Sequence, residues 1–220
     1  MIRAEITERG VILSGAVAPG TFAYVDRDWL PAVSGTVPSL TVSADGDAAW
    51  GDESRAKPRG ASDPDTAAAR VLLSVAHHAA TAVADLPPGS IEVIGSGLIA
   101  HVVRLLVGDG SGRSAERPRA VVDATGDPAV IVDATRRVAD LGTVVLVGEA
   151  LGRRTEMNVY EDVHMRGLTL VGVAPPLQQA EPLAALDDED PLMASCKQSL
   201  GRVVFGSALP PTATWYAVTG

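Results

Sequence analysis

Ile91-Glu92-Val93-Ile94-Gly95-Ser96-Gly97-Leu98-Ile99-Ala100 is the stretch on which the reading of this chain turns. An apolar strand runs into two glycines and then into a helical pattern. Such a strand, G-x-G-x-x-A turn and helix N-terminus form the half-site that cradles a dinucleotide pyrophosphate: glycines let backbone N–H groups approach the phosphates, and the helix dipole favours the anion. Downstream, Ala120-Val121-Val122-Asp123-Ala124-Thr125-Gly126 predicts a second strand. Pro128 to Leu141 predicts a helix, and Thr143-Val144-Val145-Leu146-Val147-Gly148 a third strand. Between the first helix and the second strand lies only Gly108 to Arg119, which is too short for another strand-helix-strand. Thr169 to Val173 supplies a later strand. Continuous Val/Ile/Leu runs, in place of alternation, predict strands covered on both faces, hence a parallel sheet with right-handed helical crossovers.

The flanks read differently. From Met1 to about Val42 short strand-like pieces, Ile2-Arg3-Ala4-Glu5-Ile6, Val11-Ile12-Leu13 and Thr21-Phe22-Ala23-Tyr24-Val25, are punctuated by glycine and proline and predict a small β module. Ser43 to Asp65 collects Asp, Gly, Ser, Arg, Lys and Pro, a composition that predicts a mobile loop or linker. A helix follows, capped by Asp65 or Thr66, with Val71, Val75, Ala79 and Val83 on one stripe, and Pro87-Pro88-Gly89 stops it. Past Pro175-Pro176, Gln178 to Pro191 is acidic and expected to be exposed, and Arg202-Val203-Val204-Phe205 predicts a last strand. The expected division is residues 1–64, a small β module and loop, and residues 65–220, the sheet domain.

Composition sets the outer limits. With 220 residues, 46% hydrophobic and 20% charged, the chain is long enough to bury a good core. A net charge of -9 removes the basic footprint that nucleic-acid binding requires. No run reaches the roughly 18 to 20 apolar residues of a membrane span, and Met1-Ile2-Arg3-Ala4-Glu5 leads into no apolar stretch, so the expected location is cytoplasmic. Cys196 is the only cysteine, which rules out an intramolecular disulfide and any thiolate cluster.

In order and spacing, Pro88 to Gly97, Val121 to Gly126, Leu141 to Gly148 and Arg166-Gly167-Leu168-Thr169-Leu170-Val171-Gly172 resemble the cofactor domain of the medium-chain dehydrogenase/reductase family, the zinc-type alcohol dehydrogenases and their reductase relatives. The resemblance covers about two fifths of the chain. It implies an α/β fold: a reduced Rossmann-like parallel sheet with flanking helices, plus a small N-terminal β remnant. The departures imply truncation. In the family an acidic or basic residue about 20 positions past the first glycine holds the adenosine ribose. Here that position is Ala115, Asp109 comes too early, and Asp123 sits on the next strand. The family's zinc enzymes carry cysteine and Gly-His-Glu ligands in a long N-terminal domain, whereas residues 1–65 hold no histidine and no cysteine, so no zinc is expected.

The remaining candidates are weighed on spacing. His77 and His78 are adjacent and so point about 100° apart on a helix, unlike a ligand pair. His101 either faces a ligand or packs beside the sheet, and His164 precedes the last sheet strand. Four consecutive charges, Asp187-Asp188-Glu189-Asp190, cannot converge as calcium-loop ligands do and read as a solvated run. Cys196 has no neighbouring histidine and there is no Gly-x-Ser-x-Gly elbow, so acyl transfer has no support. No catalytic acid or base is assigned. Gly95, Gly97 and Ala100 serve either a ligand or merely a tight turn against the sheet.

The resulting expectation is a dehydrogenase-like protein that has lost the usual NAD(P) binding and zinc catalysis, with no cofactor, working as an accessory or recognition subunit of a biosynthetic complex. The alternative is a minimal NAD(P)-dependent oxidoreductase whose pocket is completed by a partner chain. A weaker third is a non-redox enzyme using the turn for another phosphate or carboxylate. Any ligand is expected at Gly95, Ser96, Gly97, Leu98 and Ile99, with Thr125 and Gly148 lining the crevice. A homodimer or hetero-complex is expected through the sheet edge near Leu168 to Val173, unless the strand at Arg202 to Phe205 covers it.

Overall fold

In the computed structural model, residues 1–50, 53–56, 63–108, 117–147, 154–173 and 190–220 are described. The chain divides into two compact units, Met1–Ser74 with Pro175–Gly220, and Val75–Ala174.

The first unit is mostly antiparallel. Strands β1 (Ile2–Thr7) and β2 (Gly10–Gly15) form a hairpin, β3 is Thr21–Asp26, and β4 (Gly35–Val37) pairs with β1, giving the order β2-β1-β4. Alternation puts Ile2 and Ala4 of β1 inside and Arg3 and Glu5 outside. β5 (Leu40–Ser43), β6 (Ala48–Trp50) and β7 (Glu53–Ala56) continue a second sheet from β3. The Ser43 to Asp65 segment, expected to be a loop, therefore carries two strands. Cross-strand pairing, of β6 onto β5 and of β7 onto β6, outweighs the polar composition, as an antiparallel sheet can leave one face to water.

Helix α1 spans Pro64–Thr81, and the division between the units falls within it. Asp63, rather than Asp65 or Thr66, caps it: the Thr66 N–H donates to Asp63 Oδ1 at 2.8 Å. Asp65 is drawn to β3 instead, accepting from the Tyr24 hydroxyl at 2.6 Å and from Arg202. The stripe Val71, Val75, Ala79 and Val83 is buried as its spacing predicts.

The second unit is built on a parallel sheet ordered β11-β10-β9-β8. Along the chain these are β8 (Ile91–Ile94), α2 (Leu98–Val107), β9 (Ala120–Asp123), α3 (Pro128–Arg137), β10 (Thr143–Leu146) and β11 (Thr169–Gly172). Strands and helices fall where the apolar runs and glycines place them. Val121 and Val144 pack with Ala134, Val138 and Leu168, and Ile94, Leu146 and Val163 close the edges of that cluster. On the same face Glu92 pairs with Arg137 of α3 at 3.0 Å. α3 stops short of Leu141 because Leu141 sits at φ 60° and a Cβ on Gly142 would lie 2.7 to 2.8 Å from the Ala139 and Arg119 carbonyls. Arg166 holds that end by donating to the Thr135 and Val138 carbonyls. A π-helical turn, Val159–His164, precedes β11 and had no signature in the sequence.

The C-terminal strand does not cover β11. After α4 (Pro191–Gln198), β12 (Leu200–Val204) lies parallel to β13 (Trp215–Thr219), which pairs with β3 in the first unit. The Trp215 ring stacks on Tyr24 with centroids 5.5 Å apart, and its Nε1–H donates to the Cys196 carbonyl at 2.8 Å. The tail of the chain therefore joins the N-terminal sheets, a different grouping from the expected division after residue 64. No helix among the described residues is long and apolar enough to cross a membrane.

Candidate functional site

Parallel strands bring all their carboxyl ends to one edge, and the register fixes which ends are neighbours. Ile94 lies opposite Asp123, and Asp123 opposite Leu146. Bonds just past the strand ends hold them: the Ala124 N–H donates to the Ile94 carbonyl at 3.0 Å, and the Val147 N–H to the Asp123 carbonyl at 2.9 Å. The turns after β8 and β9 thus emerge side by side, about 5 Å apart at the spacing of paired strands.

The turn after β8 is Gly95-Ser96-Gly97. Gly95 has φ 136°, a conformation that side chains with a Cβ rarely adopt. Gly97 is the N-cap of α2, buried and extended, and has no side chain of its own to cap the helix. Ser96 is exposed, whereas the Leu98 and Ile99 side chains are buried. Of these five predicted residues, Leu98 and Ile99 can offer only backbone to a ligand; their side chains belong to the core.

The turn after β9 is held by Asp123. Its Oδ1 accepts from the Thr125 N–H at 2.8 Å and from the Thr125 hydroxyl at 2.6 Å, and Thr125 Oγ1 accepts from the Asp127 N–H at 3.1 Å. Asp127 then caps α3 through the Ala129 N–H at 2.9 Å. This chain of turns presents Thr125 at the same edge as Gly95. Gly148, the other residue expected in the crevice, lies outside the described residues.

One residue of the site was not anticipated. Arg104, two turns into α2, reaches back to β8, where Nη2 donates to the Gly95 carbonyl at 2.7 Å and the Val93 carbonyl at 2.8 Å. Its only signal in the sequence is a cation on a helix that follows the strand it returns to, seven positions past Gly97.

The other candidates separate from this edge. His77 is exposed and His78 half-buried on α1; His101 is half-buried in the first turns of α2. The His164 ring lies against Tyr160, with centroids 4.7 Å apart. Cys196 is buried, and burial together with the Asp190 charge pushes its thiol up to about 12. Asp190 caps α4 through the Leu192 N–H at 2.8 Å; Asp187, Asp188 and Glu189 lie outside the described residues. Among the described residues no group of three or more His, Cys, Asp or Glu side chains is placed to hold a metal.

No protein-family model matches the sequence. No curated protein matches it either. Solved structures do match by shape. S. aureus TarJ aligns with TM-score 0.54 at 10% identity, covering 100% of this chain and 99% of TarJ. TarJ in complex with NADPH gives 0.53 at 10% identity over the same shares. The alcohol dehydrogenase rspB of E. coli CFT073, complexed with NADH, gives 0.55 at 9% identity, covering 100% of this chain and 98% of that one.

The fold is dehydrogenase-like. At these identities the likeness concerns fold alone, and it bears out the α/β class with a Rossmann-like sheet. It also corrects one expectation. Structures of this fold were solved with NADPH and with NADH, which overturns the inference that a chain so built has no nucleotide cofactor.

Proposed function

We propose that this chain is a reduced dehydrogenase of the medium-chain type, a cytoplasmic NAD(P)-dependent oxidoreductase whose pocket is completed by a partner chain. The observation that carries the reading is the Gly95-Ser96-Gly97 turn, with its positive φ at Gly95 and a glycine as the N-cap of α2, at the carboxyl edge of a parallel sheet beside the Thr125 turn. That geometry fits a pyrophosphate. Backbone N–H groups and the positive end of α2 face the place where the anion would lie, and no side chain at residue 97 obstructs it. When bound, the nicotinamide supplies or accepts a hydride. What the chain's own residues do is bind and orient: the 95–99 backbone at the phosphates, Thr125 along the crevice, and Arg104 holding the Gly95 carbonyl in place.

The partner in this reading is a second copy. β11 is an edge strand among the described residues, with Thr169, Leu170 and Gly172 exposed, and an apolar edge of this kind is ordinarily covered. Sedimentation equilibrium tests it: a dimer that dissociates in Leu170→Asp supports the pairing, and a monomer at tens of micromolar refutes it.

Calorimetric titration of the full chain with NADH and NADPH tests the binding. Saturable heat at micromolar to submillimolar concentration, abolished by Gly97→Val without change in the far-UV spectrum, is the expected result. Silence into the millimolar range defeats the proposal.

A further inference from the structure

We draw no further inference here: the strongest candidate, the exposed apolar patch that Val159, Tyr160 and Met165 form on and just after the π-helical turn before β11, is a surface for which nothing in the structure shows what covers it.

Discussion

Replacing Arg104 by leucine removes one guanidinium and, with it, the donor to two backbone carbonyls. Hydrogen bonds to charged groups contribute about 1.5 to 3 kcal/mol each, and a buried acceptor left without a donor costs a similar amount. Arg104 is half-buried, and water can reach part of a strand edge, so the lower end of that range applies to each bond. The expected loss is about 2 to 3 kcal/mol, a large fraction of the roughly 5 to 15 kcal/mol that holds a domain together. Lysine retains the charge as a single point donor and serves one carbonyl well, so Arg104→Lys is expected to lose about half as much. Urea unfolding of both variants, followed by far-UV circular dichroism with the slope m compared to the parent, gives the numbers. Freed acceptors at Val93 and Gly95 also invite strand addition, so Arg104→Leu is expected to associate at higher concentration in sedimentation runs. A leucine variant within about 0.5 kcal/mol of the parent would refute the reasoning, because it would mean the edge needs no donor from α2.

Three further outcomes are expected. Leu141, at φ 60° and 83% exposed, holds a left-handed conformation that costs a side chain about 1 to 2 kcal/mol, so Leu141→Gly is expected to raise stability by about 0.5 to 1 kcal/mol in chemical denaturation, and a loss would contradict it. Asp65→Ala strands the Tyr24 hydroxyl and releases Arg202, and thermal melts are expected to report a loss of about 1 to 3 kcal/mol; an unchanged melting temperature would mean that this network contributes nothing. The Cys196 thiol is raised from 9.0 to about 12 by burial and by Asp190, so the folded state binds its proton more tightly than the unfolded one. Its contribution is fully present below pH 9.0 and is lost as pH rises toward 12. Burial raises the Tyr24 phenol as well, adding a loss of the same sign at still higher pH. Stability should therefore fall in the alkaline range while iodoacetamide leaves Cys196 unmodified in the folded protein at mildly alkaline pH; rapid alkylation there would contradict the burial argument.

Local rules were enough to read the parallel sheet. β8, β9, β10 and β11 are short runs of Val, Ile and Leu bounded by glycine, proline or aspartate, and each boundary residue acts on its nearest neighbours, so their places follow from spacing alone. The same holds for the Gly95-Ser96-Gly97 turn and for the buried stripe of α1. What failed were segments whose state depends on distant partners. β7 is polar and β6 is only three residues long, so both read as loop, and they are strands because β5 offers β6 a ladder and β6 offers one to β7. β12 is apolar enough for either sheet, and it joins the first because β13 docks on β3 with Trp215 stacked on Tyr24, a contact across nearly the whole chain.

The site divides along the same line. Sequence by itself determined the glycine turn, the helix behind it and the Asp-Ala-Thr-Gly turn beside it, because a tight strand-to-helix reversal and a side chain bonding two residues on are local events. Only the tertiary structure decided that Arg104 donates to the Val93 and Gly95 carbonyls of β8 and its turn, and that the chain's tail returns to its first strands. Those are long-range choices, made by which carbonyls lack donors and which faces need cover once the strands have paired.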